Sequence, residues 1–152
     1  MSKSTAAYLA GYIDGDGYLG IMAERKYKNM DRIVYSPVIK IVSVDKEIID
    51  WLKDSFGGWT YKRVFKDSNC KDAYSWTLAG KRIEPFIRKV KPYLKLKGRQ
   101  AEILLKRMKH YDKRGKGVKT CSGSNFKYSK EILEEQELLY IQIRKLNKRG
   151  KN

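Results

Sequence analysis

The chain has 152 residues, and 34 Lys and Arg against 17 Asp and Glu give it a formal net charge of +17 at pH 7. This length predicts one domain with a buried core, and the excess positive charge favours a nucleic-acid partner over an acidic protein or an anionic membrane. No apolar run reaches the roughly 18 to 20 residues of a spanning helix and no signal peptide is recognised, so we expect a soluble, intracellular protein without a membrane partner.

The predicted elements begin with a helix and a hairpin. Ser2 or Ser4 is expected to cap the helix, which ends at the break formed by residues 15–17. Two runs with alternating β-branched residues, 18–28 and 33–43, predict strands joined by a short polar turn. A hairpin therefore follows the first helix directly.

A second helix and hairpin repeat this order. Asp45 is the predicted N-cap of a helix that the pair Gly57-Gly58 ends. The runs 59–65 and 73–78 predict two further strands, and the helix after them ends before Pro92. The pattern predicts an α+β chain with the order αββαββα.

The remaining third of the chain contributes helices and a basic loop. A helix is predicted from about residue 97 to residue 111, and Ser129 caps a last one. The Gly-, Ser- and Lys-rich stretch between them is interpreted as a loop, because one helix alone does not form a second domain. We therefore predict a single domain, with a core over about residues 4–111, the basic loop at 112–128 and the C-terminal helix over about 129–147.

The end of the first helix carries the clearest chemical signal. Asp14 and Asp16 alternate with Gly15 and Gly17, at a helix terminus where the dipole favours cations. Carboxylates bind the hard divalent cations that phosphodiester hydrolysis uses, while the many Lys and Arg neutralise phosphates. An acidic site on a very basic chain is typical of metal-assisted cutting of a polyanion.

Simpler roles also fit some of these residues. A bare pair of acids between glycines is often only a capped turn. A calcium-binding loop is excluded because the twelfth position from Asp14 is Arg25. The lone His110, expected on a helix surface, argues against nucleases that need several histidines, and the three Trp are expected in the core.

Residues 9–17, with the sequence LAGYIDGDG, resemble the LAGLIDADG motif of homing endonucleases at seven of nine positions, the exceptions being Tyr12 and Gly15. The segment 92–101 resembles a second signature of that family. The resemblance extends over most of residues 6–110 and implies the LAGLIDADG homing-endonuclease fold, in which an αββαββα core carries an antiparallel four-stranded DNA-binding sheet and C-terminal helices follow.

The resemblance also implies a function. A member would be a site-specific double-strand DNA endonuclease that hydrolyses phosphodiesters with Mg²⁺ or another divalent cation such as Mn²⁺. One motif per chain implies a homodimer acting on a long pseudo-palindromic site and leaving short 3′ overhangs. The alternatives are an RNA maturase that assists splicing with intron RNA as its partner, a DNA-binding regulator that has lost the nuclease, and a general RNA-binding protein.

Particular residues take the family's roles under this hypothesis. Asp16 would be the catalytic metal ligand, assisted by the carbonyl oxygen of Gly15. Lys97 matches the catalytic lysine, which acts through its charge, and Ser43 is the nearest match to the polar residue that orders the attacking water. The expected dimer contact comprises Ala6, Ala7, Ala10, Gly11 and Asp14.

Strand alternation predicts which side chains face DNA, if Ile39 and Ile41 pack under the helices. The expected strand and turn contacts are Met22, Glu24, Lys26, Lys28, Val34, Ser36, Val38, Lys40, Lys62, Lys66, Ser75 and Thr77. Further predicted contacts are Arg99 and the loop cations Lys113, Arg114, Lys116 and Lys119. A slip of register by one residue would bring Arg25, Tyr61 and Arg63 to this face instead.

Overall fold

A four-stranded antiparallel sheet carries α-helices on one of its faces in this computed structural model, which describes residues 1–24, 33–65, 71–110, 119–120, 123–124 and 128–148. The elements are α1 (Lys3–Asp16), β1 (Gly17–Glu24), β2 (Val34–Ser43), α2 (Lys46–Phe56), β3 (Trp59–Arg63), β4 (Ala73–Ala79), α3 (Ile83–Val90), α4 (Gly98–Met108), β5 (Lys119–Thr120), β6 (Gly123–Ser124) and α5 (Lys130–Asn147). Short 3₁₀ turns, Gly80–Arg82 and Lys91–Tyr93, flank α3.

The sheet has the strand order β1-β2-β4-β3, and its register decides which residues share a face. Leu19 pairs with Ile39, and Ile39 pairs with Leu78. These side chains are fully buried, as is Trp76 in β4, so this face lies under the helices. The opposite face, called the outer face, comprises Tyr18, Gly20, Met22, Glu24, Val34, Ser36, Val38, Lys40, Val42, Trp59, Tyr61, Arg63, Ala73, Ser75, Thr77 and Ala79.

The predicted capping residues are found at the start of α1 and at both ends of α2. The Ser2 hydroxyl accepts the N–H of Thr5 at 3.1 Å, and the Asp45 carboxylate accepts the N–H of Glu47 at 2.9 Å. Helix α2 ends at Gly57, whose φ of 71° is a conformation that glycine adopts without strain. These caps, together with the order of elements, confirm the predicted αββαββα arrangement and the α+β class.

The structure adds one detail to the predicted organisation. Within the segment predicted as a loop, β5 and β6 form a small antiparallel pair. The predicted polar turn between β1 and β2 lies outside the described residues. Among the helices that the structure describes, none is both long enough and apolar enough to cross a membrane.

The expectation that His110 lies on the surface is wrong, and so is the expectation that all the tryptophans are core residues. His110 is 2% exposed, and its Nε2 lies 2.9 Å from Oε2 of Glu135 on α5. Helix α5 covers this end of α4, and an element so distant in sequence leaves no signal in the pattern of α4. Trp76 is buried, whereas Trp59 is 52% exposed because the sheet register turns it to the outer face.

Candidate active site

The carboxylate of Asp14, near the end of α1, forms hydrogen bonds with another segment of the chain. It accepts the backbone N–H of Lys95 at 2.6 Å and that of Lys97 at 2.9 Å. Burial by itself raises the pKa of this carboxyl, but hydrogen bonds from Lys95, Lys97 and Leu96 and the Lys97 charge outweigh burial, so the pKa lies below its ordinary value of 3.8. Asp14 therefore anchors the segment before α4 to the end of α1.

The Lys97 side chain reinforces the same junction. Its Nζ donates to the carbonyl oxygens of Ile13 at 2.6 Å, Asp14 at 3.1 Å and Gly17 at 2.6 Å. Carbonyls at a helix C-terminus lack partners within the helix and carry the negative end of its dipole, so an ammonium group is favoured there. Lys97 thus places a positive charge beside the backbone that carries Asp16.

Gly15 and Asp16 are exposed, whereas Asp14 is partly buried. A methyl group added at Gly15 would meet nothing within 4 Å, whereas one added at Gly17 would lie 2.7 Å from Cα of Ile13. Gly17 is therefore required for the sharp passage from α1 into β1, and that passage sets the position of Asp16. The Asp16 side chain is exposed at the point where α1 passes into the edge strand β1.

Ser43 reaches the same edge from β2. Gly17 at the start of β1 pairs with Ile41 of β2. Ser43 lies two residues beyond Ile41 on β2, which is roughly 7 Å at the usual rise of a strand. Its hydroxyl accepts the N–H of Asp45 at 3.0 Å and thereby shapes the turn into α2. The structure thus brings the end of α1, Lys97 and the end of β2 to one region.

The predicted dimer set divides between two faces of α1. Ala6 and Ala10 are 3% and 0% exposed because they pack inside the chain, so their assignment to an interface is wrong. Ala7 and Gly11 are exposed on the neighbouring side of the helix, which is about 100° around the axis at 3.6 residues per turn. Asp14 is also not available to a second copy as predicted, because its carboxylate is bonded to the segment before α4.

The predicted orientation of β1 and β2 is confirmed, since Ile39 and Ile41 are buried and Met22, Glu24 and Lys40 are exposed on the outer face. Five of the predicted contacts on that face, Val34, Ser36, Val38, Ser75 and Thr77, are only partly exposed or buried. Val38 is 3% exposed, beside its partner Gly20, which the Tyr18 ring overlies. Ser75 and Thr77 are 7% and 8% exposed in the central strand β4.

The predicted orientation of Lys62 is wrong. It pairs with Tyr74 on the face that carries the helices, and its Nζ lies 2.6 Å from Oδ2 of Asp72. The neighbouring Tyr61 and Arg63 face outward instead, which is the alternative that a one-residue slip allowed. Sequence reasoning missed three exposed outer-face residues, Tyr18, Val42 and Trp59, although alternation from Met22 and Lys40 identifies the first two.

The other predicted contacts stay predictions. Arg99 is exposed in the first turn of α4. Lys119 is in β5, where the structure describes the backbone alone. The predicted contacts that lie outside the described residues are Lys26, Lys28, Lys66, Lys113, Arg114 and Lys116.

Comparison with solved structures identifies the class of fold. The homing endonuclease I-CvuI in complex with its target has a TM-score of 0.73 and 20% identity over 99% of this chain and 85% of that one. The archaeal intron-encoded homing endonuclease I-Vdi141I, complexed with DNA, has a TM-score of 0.72 and 15% identity over 98% and 87% of the two chains. No protein-family model and no curated protein matches the sequence.

The chain therefore has the fold of the LAGLIDADG homing endonucleases. The LAGLIDADG homing endonuclease I-SmaMI, bound to cleaved DNA, aligns over 94% of this chain and 45% of its own, with 19% identity and a TM-score of 0.65. The present chain thus corresponds to slightly less than half the length of that protein.

Proposed function

We propose that this chain is a site-specific DNA endonuclease that acts as a homodimer, hydrolyses phosphodiester bonds with Mg²⁺ and leaves short 3′ overhangs. The observation that carries the proposal is the exposed Asp16 carboxylate at the end of α1, held in place by the internal bonds of Asp14 and Lys97. The solved structures with this fold that are named above are homing endonucleases in complex with DNA.

The residues at the end of α1 suit a hard divalent cation. Asp16 offers a carboxylate and Gly15 a carbonyl oxygen at the negative end of a helix, in open surroundings. A cation there would polarise the phosphate and lower the pKa of a bound water. Lys97, bonded to the carbonyls of Ile13 and Gly17, would fix the backbone on either side of Asp16 and add positive charge near the phosphate.

A single copy of this site has too few acidic side chains to bind a metal ion by itself. Among the described residues no group of three or more His, Cys, Asp and Glu lies close enough to hold a metal ion. A second copy packed against the exposed side of α1, at Ala7 and Gly11, would bring a second Asp16 near the first. Two copies would also match the length of I-SmaMI, of which this chain covers 45%.

Binding in the dimer would place the outer face of each sheet along one half of the target. A two-stranded ribbon or sheet edge fits the major groove, where base edges are distinguished. The exposed outer-face side chains Met22, Glu24, Lys40, Trp59, Tyr61 and Arg63 then become candidates for base contacts, with Arg63 and Lys40 suited to guanine.

Cleavage selection tests the proposal. Purified protein and Mg²⁺ are incubated with a randomised duplex library and the fragment ends are sequenced, alongside Asp16→Asn. We expect a near-palindromic site with short 3′ overhangs that is absent with the variant. Cutting by the variant at the wild-type rate would refute the assignment of Asp16, and failure to cut any duplex, with metal present, would refute the nuclease.

The homodimer is tested separately by sedimentation velocity. Replacing Gly11 with Gln adds a long side chain where a Cβ meets nothing in the single chain, so folding is expected to persist while the dimer and cleavage are lost. Ser55→Gln, at an exposed position of α2, is the matched control and should leave the dimer intact. A Gly11→Gln protein that stays dimeric and active would place the interface elsewhere.

A further inference from the structure

A cavity of about 340 Å³ lies among α2, β4, α3 and the segment before α1. Its apolar wall is formed by Phe56 at the end of α2, Leu78 in β4 and Phe86 in α3. The rings of Phe56 and Phe86 pack edge to face with centroids 5.2 Å apart, and Phe86 also lies 5.7 Å from Trp76. The wall is therefore continuous with the aromatic core, and the volume falls at the lower end of the range for small-molecule sites.

Two cations lie along one side of this cavity. Arg82 and Lys89 both line it, as do Pro85 and Phe86 between them. Arg82 has helical dihedral angles at the start of α3, so positions 82, 85, 86 and 89 follow the i, i+3, i+4, i+7 spacing that places side chains on one face of a helix. Helix α3 therefore presents to the cavity an apolar strip with a cation at each end.

The Arg82 guanidinium lies against the end of α2. A methyl group added at Gly57 would be 2.7 Å from its Nη1, so the absence of a side chain at Gly57 permits this close approach. A helix C-terminus carries the negative end of the helix dipole, which favours a cation there. Arg82 is thus placed beside the cavity by backbone rather than by an acidic partner.

The charge of these two cations is not balanced by acids of the cavity. No Asp or Glu is among the described residues that line it, and no ion pair of Arg82 or Lys89 is found within the described part of the chain. Glu84, in the same helix, is bonded to Arg88 at 2.7 Å. An apolar wall with a positive edge is complementary to a molecule that has an apolar body and an anionic head.

The cavity is separate from the proposed active site and from the outer face. Met1 lines the cavity, whereas Asp16 is at the far end of α1, and a helix of 14 residues is about 21 Å long. Leu78 is fully buried on the face of the sheet that carries the helices, so the cavity is on that side. A duplex bound along the outer face therefore does not occupy it.

Volume and polarity select the class of ligand. At roughly 30 Å³ for each water-sized group, the cavity accommodates about eleven such groups, fewer than a nucleotide contains. Ser55 is the one uncharged polar side chain among the described residues that line it, so a sugar or a nucleoside, which needs several hydrogen-bond partners, is not favoured. The planar fork of an arginine binds a carboxylate through two parallel hydrogen bonds. A carboxylate with a short aliphatic chain therefore fits both the size and the charge.

We propose that this cavity is a binding site for a small amphiphilic carboxylate, whose aliphatic chain packs between α2, β4 and α3 and whose anionic head is bound by Arg82 and Lys89. Nuclear magnetic resonance titration of the isotope-labelled protein with octanoate tests the site, because shift changes locate the ligand and their saturation gives Kd. Octanol and octylammonium, which keep the aliphatic chain and change the head, are the comparison ligands. A capped apolar tripeptide with a free C-terminal carboxylate represents a protein partner.

Three variants separate charge from volume. R82Q/K89Q removes both cavity cations, and K106Q/K109Q is the matched control, because it removes two exposed lysines at the end of α4 that do not line the cavity. The two proteins therefore have the same net charge. Ser55→Trp adds a large ring at an exposed position beside the cavity and competes with the ligand for space. Thermal melts check that each variant is folded.

We expect octanoate to bind wild type saturably, with shift changes concentrated at residues 55–57 and 82–89. R82Q/K89Q should bind it at least about tenfold more weakly, since hydrogen bonds to a charged group are the strong ones, and K106Q/K109Q should lose less than about twofold. Ser55→Trp should also weaken binding. From butanoate to octanoate each added methylene should tighten binding by up to about fourfold, and acids too long for the cavity should gain nothing further.

Equal losses in the two double variants, or octanol and octylammonium that bind as tightly as octanoate, would overturn the proposal, because the cavity cations would then not recognise the head. Shift changes spread over the whole chain, without saturation, would show general attraction to a net charge of +17 and would overturn it as well. So would unchanged affinity in Ser55→Trp. Tighter binding of the tripeptide than of any acid would assign the cavity to a protein partner instead.

Discussion

The two acids at the end of α1 stand two residues apart but lie in different environments. Asp14 faces inward and accepts two backbone N–H groups, while Asp16 faces outward and is exposed. The same division holds for the neighbouring glycines, because Gly17 is tightly packed against Ile13 and Gly15 is open. The comparison indicates that inward groups of this segment fix its shape, whereas outward groups are available for chemistry.

The largest expected effect is on the cleavage rate and comes from replacing Asp16, the outward-facing acid. Asp16→Asn removes a charge that a metal needs, and a loss of several kcal/mol corresponds to a fall in cleavage rate of about 10³-fold or more. Because the carboxylate is exposed, the melting temperature and specific DNA binding should be nearly unchanged. Single-turnover kinetics measure the cleavage rate, and calorimetry measures the melting temperature and DNA binding.

The control for this variant is Asp54→Asn, which neutralises an exposed acid of α2 and should leave the cleavage rate within about twofold, since a surface substitution away from the site rarely changes more. If Asp16→Asn instead lowered stability while retaining activity, the roles assigned to the two acids of α1 would be reversed.

The inward acid is expected to affect stability. Asp14→Asn weakens charge-assisted hydrogen bonds to Lys95 and Lys97, at a cost of about 1.5 to 3 kcal/mol in the free energy of unfolding at neutral pH. The pKa of Asp14 is lowered in the folded state, so its contribution is present above the ordinary value of 3.8 and is lost as pH falls below it.

Urea unfolding at several pH values measures both effects. Wild type should lose stability between neutral pH and pH values below 3.8, and Asp14→Asn should lose less over the same interval. Parallel profiles for the two proteins would show that Asp14 does not keep its lowered pKa in solution.

The glycines give a matched pair with opposite expectations. Gly17→Ala places a methyl group 2.7 Å from Cα of Ile13, and overpacking of this kind costs about 1 to 3 kcal/mol. Gly15→Ala meets nothing within 4 Å and, inside a helix, should stabilise the chain by about 0.5 to 1 kcal/mol. Thermal melts measure the difference, and equal melting temperatures would contradict the packing described for Gly17.

The smallest expected effect is on DNA affinity and concerns β3, where two neighbouring residues face opposite sides of the sheet. Arg63 faces outward, so Arg63→Gln should weaken DNA binding by about 1 kcal/mol, or roughly fivefold. Lys62 faces the helices and pairs with Asp72, so Lys62→Gln should change affinity less than twofold. Titration of the selected target with each variant distinguishes them, and a larger effect at Lys62 would indicate the other register.

Much of the fold follows from local signals. Caps such as Ser2 and Asp45, the break at Gly57-Gly58 and the alternation around Ile39 depend on interactions within a few residues, so the pattern predicts them. The motif at the end of α1 also predicted the fold, and the comparison with solved LAGLIDADG structures confirms that prediction.

Other features depend on partners distant in sequence. His110 is buried because α5 returns over α4, and Asp14 is engaged by a segment about 80 residues away. The orientation of Lys62 and Arg63 depends on the register between β3 and β4, which alternation alone leaves open by one residue. Local patterns contain no information about such long-range pairings.

The sequence by itself determined the order of elements, the acidic end of α1 and the large positive charge, because these depend on composition and on neighbours along the chain. Only the tertiary structure decided that Asp14 faces inward and Asp16 outward, and that Ala6 and Ala10 belong to the core. The physical reason is that burial and hydrogen bonding are settled by packing between segments far apart in the chain.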